Sequence, residues 1–148
     1  MLTYLDASVV APLLFKEPKS DHAVALVLSL EDRVVMSDFA SAEVSSAISR
    51  RFRMGLDSYA RADELLSALD QFRSGLQFCE AMDTEDVRSA ERLVRAFELK
   101  LRAPDAIHLA VCLRHNYRLA TLDNNLAFAA RALGVICINP VETSALKD

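Results

Sequence analysis

Only three glycines, Gly55, Gly75 and Gly134, occur in the 148 residues. Each follows a stretch that reads as helix, which leaves none for a loop that cradles phosphate. Neither G-x-x-x-x-G-K-[ST] nor G-x-G-x-x-G is present, so nucleotide binding by those two routes is excluded. No run of about 18 apolar residues occurs, and nothing reads as a membrane span. The N-terminus lacks a basic region followed by a long apolar one, the pattern of a secretory signal. The three cysteines, Cys79, Cys112 and Cys137, are odd in number, widely spaced and set in apolar runs. They read as reduced, buried thiols of a cytoplasmic protein. Surplus positive charge is missing too: the formal net charge is −4, which argues against broad, passive nucleic-acid binding. It leaves room for an enzyme whose acidic pocket meets phosphate through a cation.

What is present is apolar: 52% of residues are hydrophobic, enough to core one domain spanning residues 1–148. A first strand reads over 2–6, with helices over 8–15 and 20–30 punctuated by Pro12 and Pro18. Val34-Val35-Met36 reads as a second strand. Ser37 or Asp38 then caps a helix to about Met54, with Gly55 at its end. A long helix over 57–74 places Leu65, Leu66, Leu69 and Phe72 at 3-4 spacing. The third strand reads over 76–81. Asp83 or Thr84, with Asp86, caps a helix to about Leu99, and Pro104 opens the next one. A strand over 118–122, a helix over 124–133 and a strand over 135–138 complete the chain. Strands alternating with helices imply a parallel sheet, with extra helices between the second and third strands.

Two carboxylates, Asp6 and Asp123, stand where an apolar strand ends and a helix begins. In an open parallel sheet that edge is where ligands bind. Each could simply cap its helix, and Asp105 could simply complement a helix dipole after Pro104. Glu43 is different. It lies inside a helix among small and apolar neighbours, with no Lys or Arg one turn away. A carboxylate buried there needs a partner, a metal or a proton. An acidic cluster of this kind is suited to a hard divalent cation.

Four local patterns resemble the motifs of PIN-domain proteins, and among them the VapC toxins of toxin–antitoxin pairs. Tyr4-Leu5-Asp6-Ala7-Ser8 resembles the opening motif and Ser41-Ala42-Glu43-Val44 the second. Arg102-Ala103-Pro104-Asp105-Ala106-Ile107-His108 resembles the third, and Thr121-Leu122-Asp123 the T-x-D motif after the fourth strand. The resemblance spans the whole chain. It implies a three-layer α/β/α fold around a parallel sheet of about five strands. It also implies a ribonuclease using Mg²⁺ or Mn²⁺, with Asp6, Glu43, Asp105 and Asp123 as metal-site acids. Ser8 and Thr121 map onto the supporting hydroxyl residues. Asn124 and Asn125 stand where some members carry a further acid. Products with 5′-phosphate and 3′-hydroxyl ends, an inhibitory antitoxin partner and a homodimer are further implications.

Arg50, Arg51 and Arg53 end the helix bearing Glu43, with Arg61 beyond. They either offset the helix dipole or, with Arg102, form an edge that grips RNA phosphate. On the second reading Arg51→Ala weakens RNA binding and flattens its salt dependence. His108, Cys112 and His115 share a helix face in a zinc-like pattern, but no fourth ligand lies near. His108 reads rather as a packed residue one turn from Asp105. Ser8 has no base partner and no G-x-S-x-G, which argues against a serine nucleophile. A receiver-like module requires paired acids at the first strand and a late Lys, and neither is present. A PIN-like domain that only binds RNA or protein is the remaining alternative.

Overall fold

Successive residues of the central strands face opposite ways, and each face is apolar. Tyr4, Val35 and Leu119 join one core cluster, and Leu5, Met36 and Ala120 the other. This two-residue period is what a strand buried on both sides requires. A computed structural model describes residues 1–31 and 33–145. Its strands are β1 (Thr3–Leu5), β2 (Val34–Ser37), β3 (Phe78–Glu80), β4 (Arg118–Ala120) and β5 (Cys137–Ile138). They form one sheet in the order β3-β2-β1-β4-β5, with every neighbouring pair parallel.

The helices are α1 (Ala7–Leu14), α2 (Ser20–Ser29), α3 (Asp38–Arg53), α4 (Tyr59–Gly75), α5 (Thr84–Arg95), α6 (Ala103–His115), α7 (Asn124–Ala132) and α8 (Pro140–Ala145). Val9, Val10, Val44, Ile48, Leu65 and Leu69 pack on one face of the sheet. Ala90, Leu109, Val111, Leu126 and Ala130 pack on the other. This is the expected three-layer α/β/α arrangement. The chain runs outward from β1 to β3, then returns to place β4 on the other side of β1. The strand order therefore reverses between β1 and β4, and a ligand crevice lies at such a point. Leu5 pairs with Ala120, which sets Asp6 level with Thr121.

Local chemistry accounts for most of the boundaries. Ser37 caps α3 by accepting from Ala40 N, and Gly55 follows with φ 74°, a left-handed value that glycine adopts without strain. Asp83 and Asp86 form a reciprocal capping box on α5. Several expectations are corrected. The α5 helix stops at Arg95; a 3-10 turn at Phe97–Leu99 follows, and Lys100 is left-handed with φ 54°. Pro12 lies buried inside α1, as a helix over 8–15 requires. The helix α4 begins at Tyr59 rather than 57, capped by Ser58, while Asp57 is engaged by Arg51. Leu66 is exposed on α4, and α8 has no counterpart in the sequence reading. All three thiols are free, but only Cys112 is buried; Cys79 is exposed and Cys137 half-buried. Among the described residues no helix is long and apolar enough to cross a membrane.

Candidate active site

The carboxyl end of β1 delivers Asp6; the first turn of α1 delivers one hydroxyl partner, Ser8, and the register of β1 with β4 the other, Thr121. Ser8 Oγ donates to Asp6 Oδ1 at 2.6 Å, and Thr121 Oγ1 donates to Asp6 Oδ2 at 2.6 Å. Each hydroxyl in turn accepts a backbone N–H: Ser8 from Leu122 at 2.8 Å, Thr121 from Asp123 at 3.0 Å. Both hydroxyl protons are thus committed to the carboxylate, and both oxygens of Asp6 are fixed. Asp6 Oδ1 also accepts from Val9 N at 3.3 Å. The N-cap role and the site role therefore coincide in one side chain.

Asp6 is only 4% exposed. Burial pushes its carboxyl up from the ordinary range, against the nearby His108 and the bonds from Ser8, Thr121 and Val9. Asp105, in the first turn of α6, is also pushed up, first by burial and then by the charge of Asp123; Arg102 and His108 oppose this. Asp123 caps α7 with Oδ1, which accepts from Asn125 N at 2.9 Å and Leu126 N at 3.0 Å. Among the described residues neither Asp6 nor Asp123 has an ion-pair partner. Asp105 does: Arg102 Nε lies 3.3 Å from its Oδ2, although the Arg102 side chain is mostly in solvent.

Glu43, one turn into α3, is half-buried as expected, and its partner is a histidine. His108 Nε2 bonds Glu43 Oε1, and His108 Nδ1 lies 2.6 Å from the Tyr4 hydroxyl. His108 is 2% exposed, so the expectation of a packed residue is met, yet it packs as a polar hub. The sequence held a signal for it. Tyr4 sits in an apolar strand and His108 on an apolar helix face, and two polar rings at buried positions require partners. The zinc-like trio is pulled apart. His108 engages Tyr4 and Glu43, Cys112 is buried, and His115 stacks on Tyr117 at 4.9 Å.

The donor chemistry suits a hard divalent cation: all four acids offer oxygen, Asp6 is buried without a counter-charge, and Asp105 and Asp123 repel each other. Still, no group of three or more His, Cys, Asp or Glu is already gathered in ligating geometry among the described residues. Glu43 is turned onto His108 and Asp105 onto Arg102. The two amides after Asp123 are engaged as well. Asn124 Oδ1 accepts from Asn139 Nδ2 at 3.1 Å, and Asn125 Nδ2 donates to Lys100 O at 2.6 Å.

The arginines divide. Arg51 is held bidentate by Asp57, with bonds of 2.6 and 3.3 Å, and lies 4.9 Å over the Phe15 ring. Arg61 pairs with Glu64 at 3.2 Å. Arg50 and Arg53 are exposed at the far end of α3, about 10 and 15 Å past Glu43 along the axis. Arg102 alone of the group borders the acids.

Comparison with known proteins follows the same lines. A PIN domain family model matches residues 3–132. The chain is 32% identical over 140 residues to Ribonuclease VapC46 of Mycobacterium tuberculosis (strain ATCC 25618 / H37Rv), covering 93% of this chain and 96% of that protein. Among solved structures, FitAcB from Neisseria gonorrhoeae superposes with a TM-score of 0.73 at 21% identity, covering 95% of this chain and 99% of that one. A toxin-antitoxin complex from Klebsiella pneumoniae gives 0.62 at 18%, covering 93% and 97%. At such identities the structures speak for the fold alone, whereas the family match and the full-length relative speak for descent. The chain belongs to the PIN domain family, in its VapC group.

Proposed function

We propose that this protein is an endoribonuclease dependent on Mg²⁺ or Mn²⁺ and the toxin of a toxin–antitoxin pair. The observation that carries the reading is Asp6. It is a buried carboxylate held by two hydroxyls and an amide, with no ion-pair partner among the described residues, beside the mutually repelling Asp105 and Asp123. Support for the substrate comes from the full-length likeness to a ribonuclease, and for the partner from the fold shared with a toxin-antitoxin complex.

Asp6, Glu43, Asp105 and Asp123 would hold the ion. Once bound, it supplies Lewis-acid polarisation of the phosphate and of water. Ser8 and Thr121 orient Asp6 and favour its ionised form against the effect of burial, because both donate to it. With Asp105 on the ion, the exposed Arg102 guanidinium would be available to the RNA backbone. Hydrolysis leaves 5′-phosphate and 3′-hydroxyl ends; a 2′,3′-cyclic phosphate end points instead to attack by the ribose. The exposed Phe52, Met54, Leu56 and Tyr59, where α3 turns into α4, form the surface offered to the antitoxin or to a second copy of the chain.

The test is RNA cleavage by the purified protein in Mg²⁺ or Mn²⁺ against EDTA, beside Asp6→Asn. Metal-dependent cleavage that the variant loses is the expected result. Equal cleavage by both proteins places the activity elsewhere. RNA binding that needs no metal and survives Asp6→Asn favours a catalytically silent binding domain.

A further inference from the structure

A buried hydrogen-bond chain crosses four elements of the fold and ends on Glu43. Ser37 closes β2, Tyr4 lies in β1, His108 in α6 and Glu43 in α3. Tyr4 OH is 2.6 Å from Ser37 Oγ and 2.6 Å from His108 Nδ1, and His108 Nε2 bonds Glu43 Oε1. We propose that His108 is a positioning residue for Glu43: the chain Ser37–Tyr4–His108 fixes one imidazole tautomer, whose Nε2–H holds the Glu43 carboxylate at the acidic edge. The inference rests on the nuclease reading above.

Counting donors gives the direction of the chain. Ser37 Oγ already accepts Ala40 N–H at 3.0 Å, so its own proton is free to donate to Tyr4. The Tyr4 proton then goes to Nδ1, and Nε2 keeps its hydrogen for Glu43. Every proton has an acceptor in this arrangement. If Nδ1 carried a hydrogen, Tyr4 would have to donate to Ser37. The buried Ser37 proton would then have no acceptor among the described residues, which is costly.

The ring is also clamped mechanically. Tyr4 lies 5.6 Å and Phe39 5.3 Å from it by centroid, both tilted 54°. Tyr4 shares its core cluster with Leu109, Val35 and Ala106, and such apolar surroundings have no packing need for an imidazole, a phenol and a hydroxyl in series. An apolar trio would fill the same space without the desolvation cost. A polar chain that emerges on one acid of the cluster is what orienting that acid requires.

The test uses the full chain, with Mn²⁺ itself as calorimetric probe, RNA cleavage as second readout and ¹⁵N spectra of the histidine rings without metal as third. His108→Leu is expected to weaken Mn²⁺ binding about 10- to 100-fold and to lower kcat with little change in KM. His108→Gln, whose amide N–H falls where Nε2–H stood, is expected to recover most of the affinity. In a Glu43→Gln background His108→Leu is expected to add no further loss. Wild-type spectra are expected to show a protonated Nε2 and a bare Nδ1 on His108. Wild-type Mn²⁺ affinity in folded His108→Leu, or a loss that persists in full without Glu43, overturns the proposal. If His108→Leu does not fold, Tyr4→Phe decides. A mixed tautomer with weakened Mn²⁺ binding supports the proposal, and an unchanged tautomer and affinity overturn it. A wild type that neither binds Mn²⁺ nor cleaves RNA overturns the nuclease reading and this inference together. Intact wild-type binding with unaffected variants overturns the inference alone.

Discussion

Asp6→Asn separates the helix-cap role of Asp6 from its site role, and the structure predicts opposite signs for the two. As a cap the amide is nearly equivalent to the acid, since its oxygen still accepts from Ser8 Oγ and Val9 N. What is lost is the bond from Thr121, 2.6 Å long and charge-assisted, worth about 1.5–3 kcal/mol. What is relieved is a buried charge without an ion-pair partner, whose desolvation costs on the order of several kcal/mol. The raised pKa of Asp6 already reflects both effects, and its direction says that desolvation wins. A carboxyl whose folded pKa is raised contributes its stability below the unfolded value, about 3.9. That contribution is lost as pH rises through the folded value. At pH 7 in EDTA the variant should therefore be at least as stable as the wild type.

Metal reverses the order. Ligand at 100 times Kd stabilises by about 2.7 kcal/mol, and for a domain of this size that raises Tm by about 5–10 °C. Asp6→Asn should lose nearly all of this shift. Melting both proteins by circular dichroism, in EDTA and in saturating Mn²⁺ across pH 4 to 8, measures every arm. A variant less stable by more than about 2 kcal/mol in EDTA, yet shifted fully by Mn²⁺, would refute the reasoning and leave Asp6 as a helix cap alone.

Three other perturbations follow from the same geometry. Arg102→Ala should reduce the salt slope of RNA binding by about one, whereas Arg51→Ala, whose guanidinium is held by Asp57 and Phe15, should lower Tm and leave the slope alone; the opposite pattern moves the phosphate-binding edge to the end of α3. Asp86 is buried and desolvated, but Arg114, at 2.7 and 2.8 Å, together with Asp83 N, holds its carboxyl below the usual range. Asp86→Ala should cost about 2–3 kcal/mol by urea unfolding, discounted because Arg114 is a third exposed, and this stability should vanish as pH falls through the folded pKa; a loss under about 0.5 kcal/mol would contradict the assignment. Asp123→Asn keeps the α7 cap through its oxygen and removes the charge facing Asp105, so the Asp105 pKa should fall in a ¹³C carboxyl titration without metal, and an unchanged pKa would mean the two acids do not interact.

How much of this could be read from the sequence depends on the range of each interaction. Asp6, Asp105 and Asp123 occupy positions that a one-dimensional pattern defines: the end of an apolar run, the residue after a helix-opening proline, the cap before a short helix. The parallel sheet follows from the same alternation, and the α3 and α5 caps from Ser37, Asp83 and Asp86. The failures share a different cause. Leu99 reads as the end of a continuous helix because Phe97 and Leu99 extend its apolar pattern. The backbone instead turns at Ala96, and Lys100 takes a left-handed conformation that favours Gly or Asn. The start of α4 shifts from 57 to Tyr59, because Ser58 caps it while Asp57 is held by Arg51 of the preceding helix.

The same limit applies within the site, where it has a functional consequence. Glu43 and His108 are 65 residues apart, and Tyr4 and His108 are 104 apart. Local spacing marks Glu43 as an acid that needs a partner but cannot say which, and a metal and a histidine are equally good answers. The structure supplies the histidine. His108 holds Glu43 from the core side, and Arg102 holds Asp105 from the solvent side. Among the described residues Asp6 and Asp123 have no ion-pair partner. If the proposed site takes up a divalent cation, Asp6 and Asp123 would meet it without giving up an ion pair, Asp105 would have to leave Arg102, and Glu43 would keep the orientation that His108 gives it.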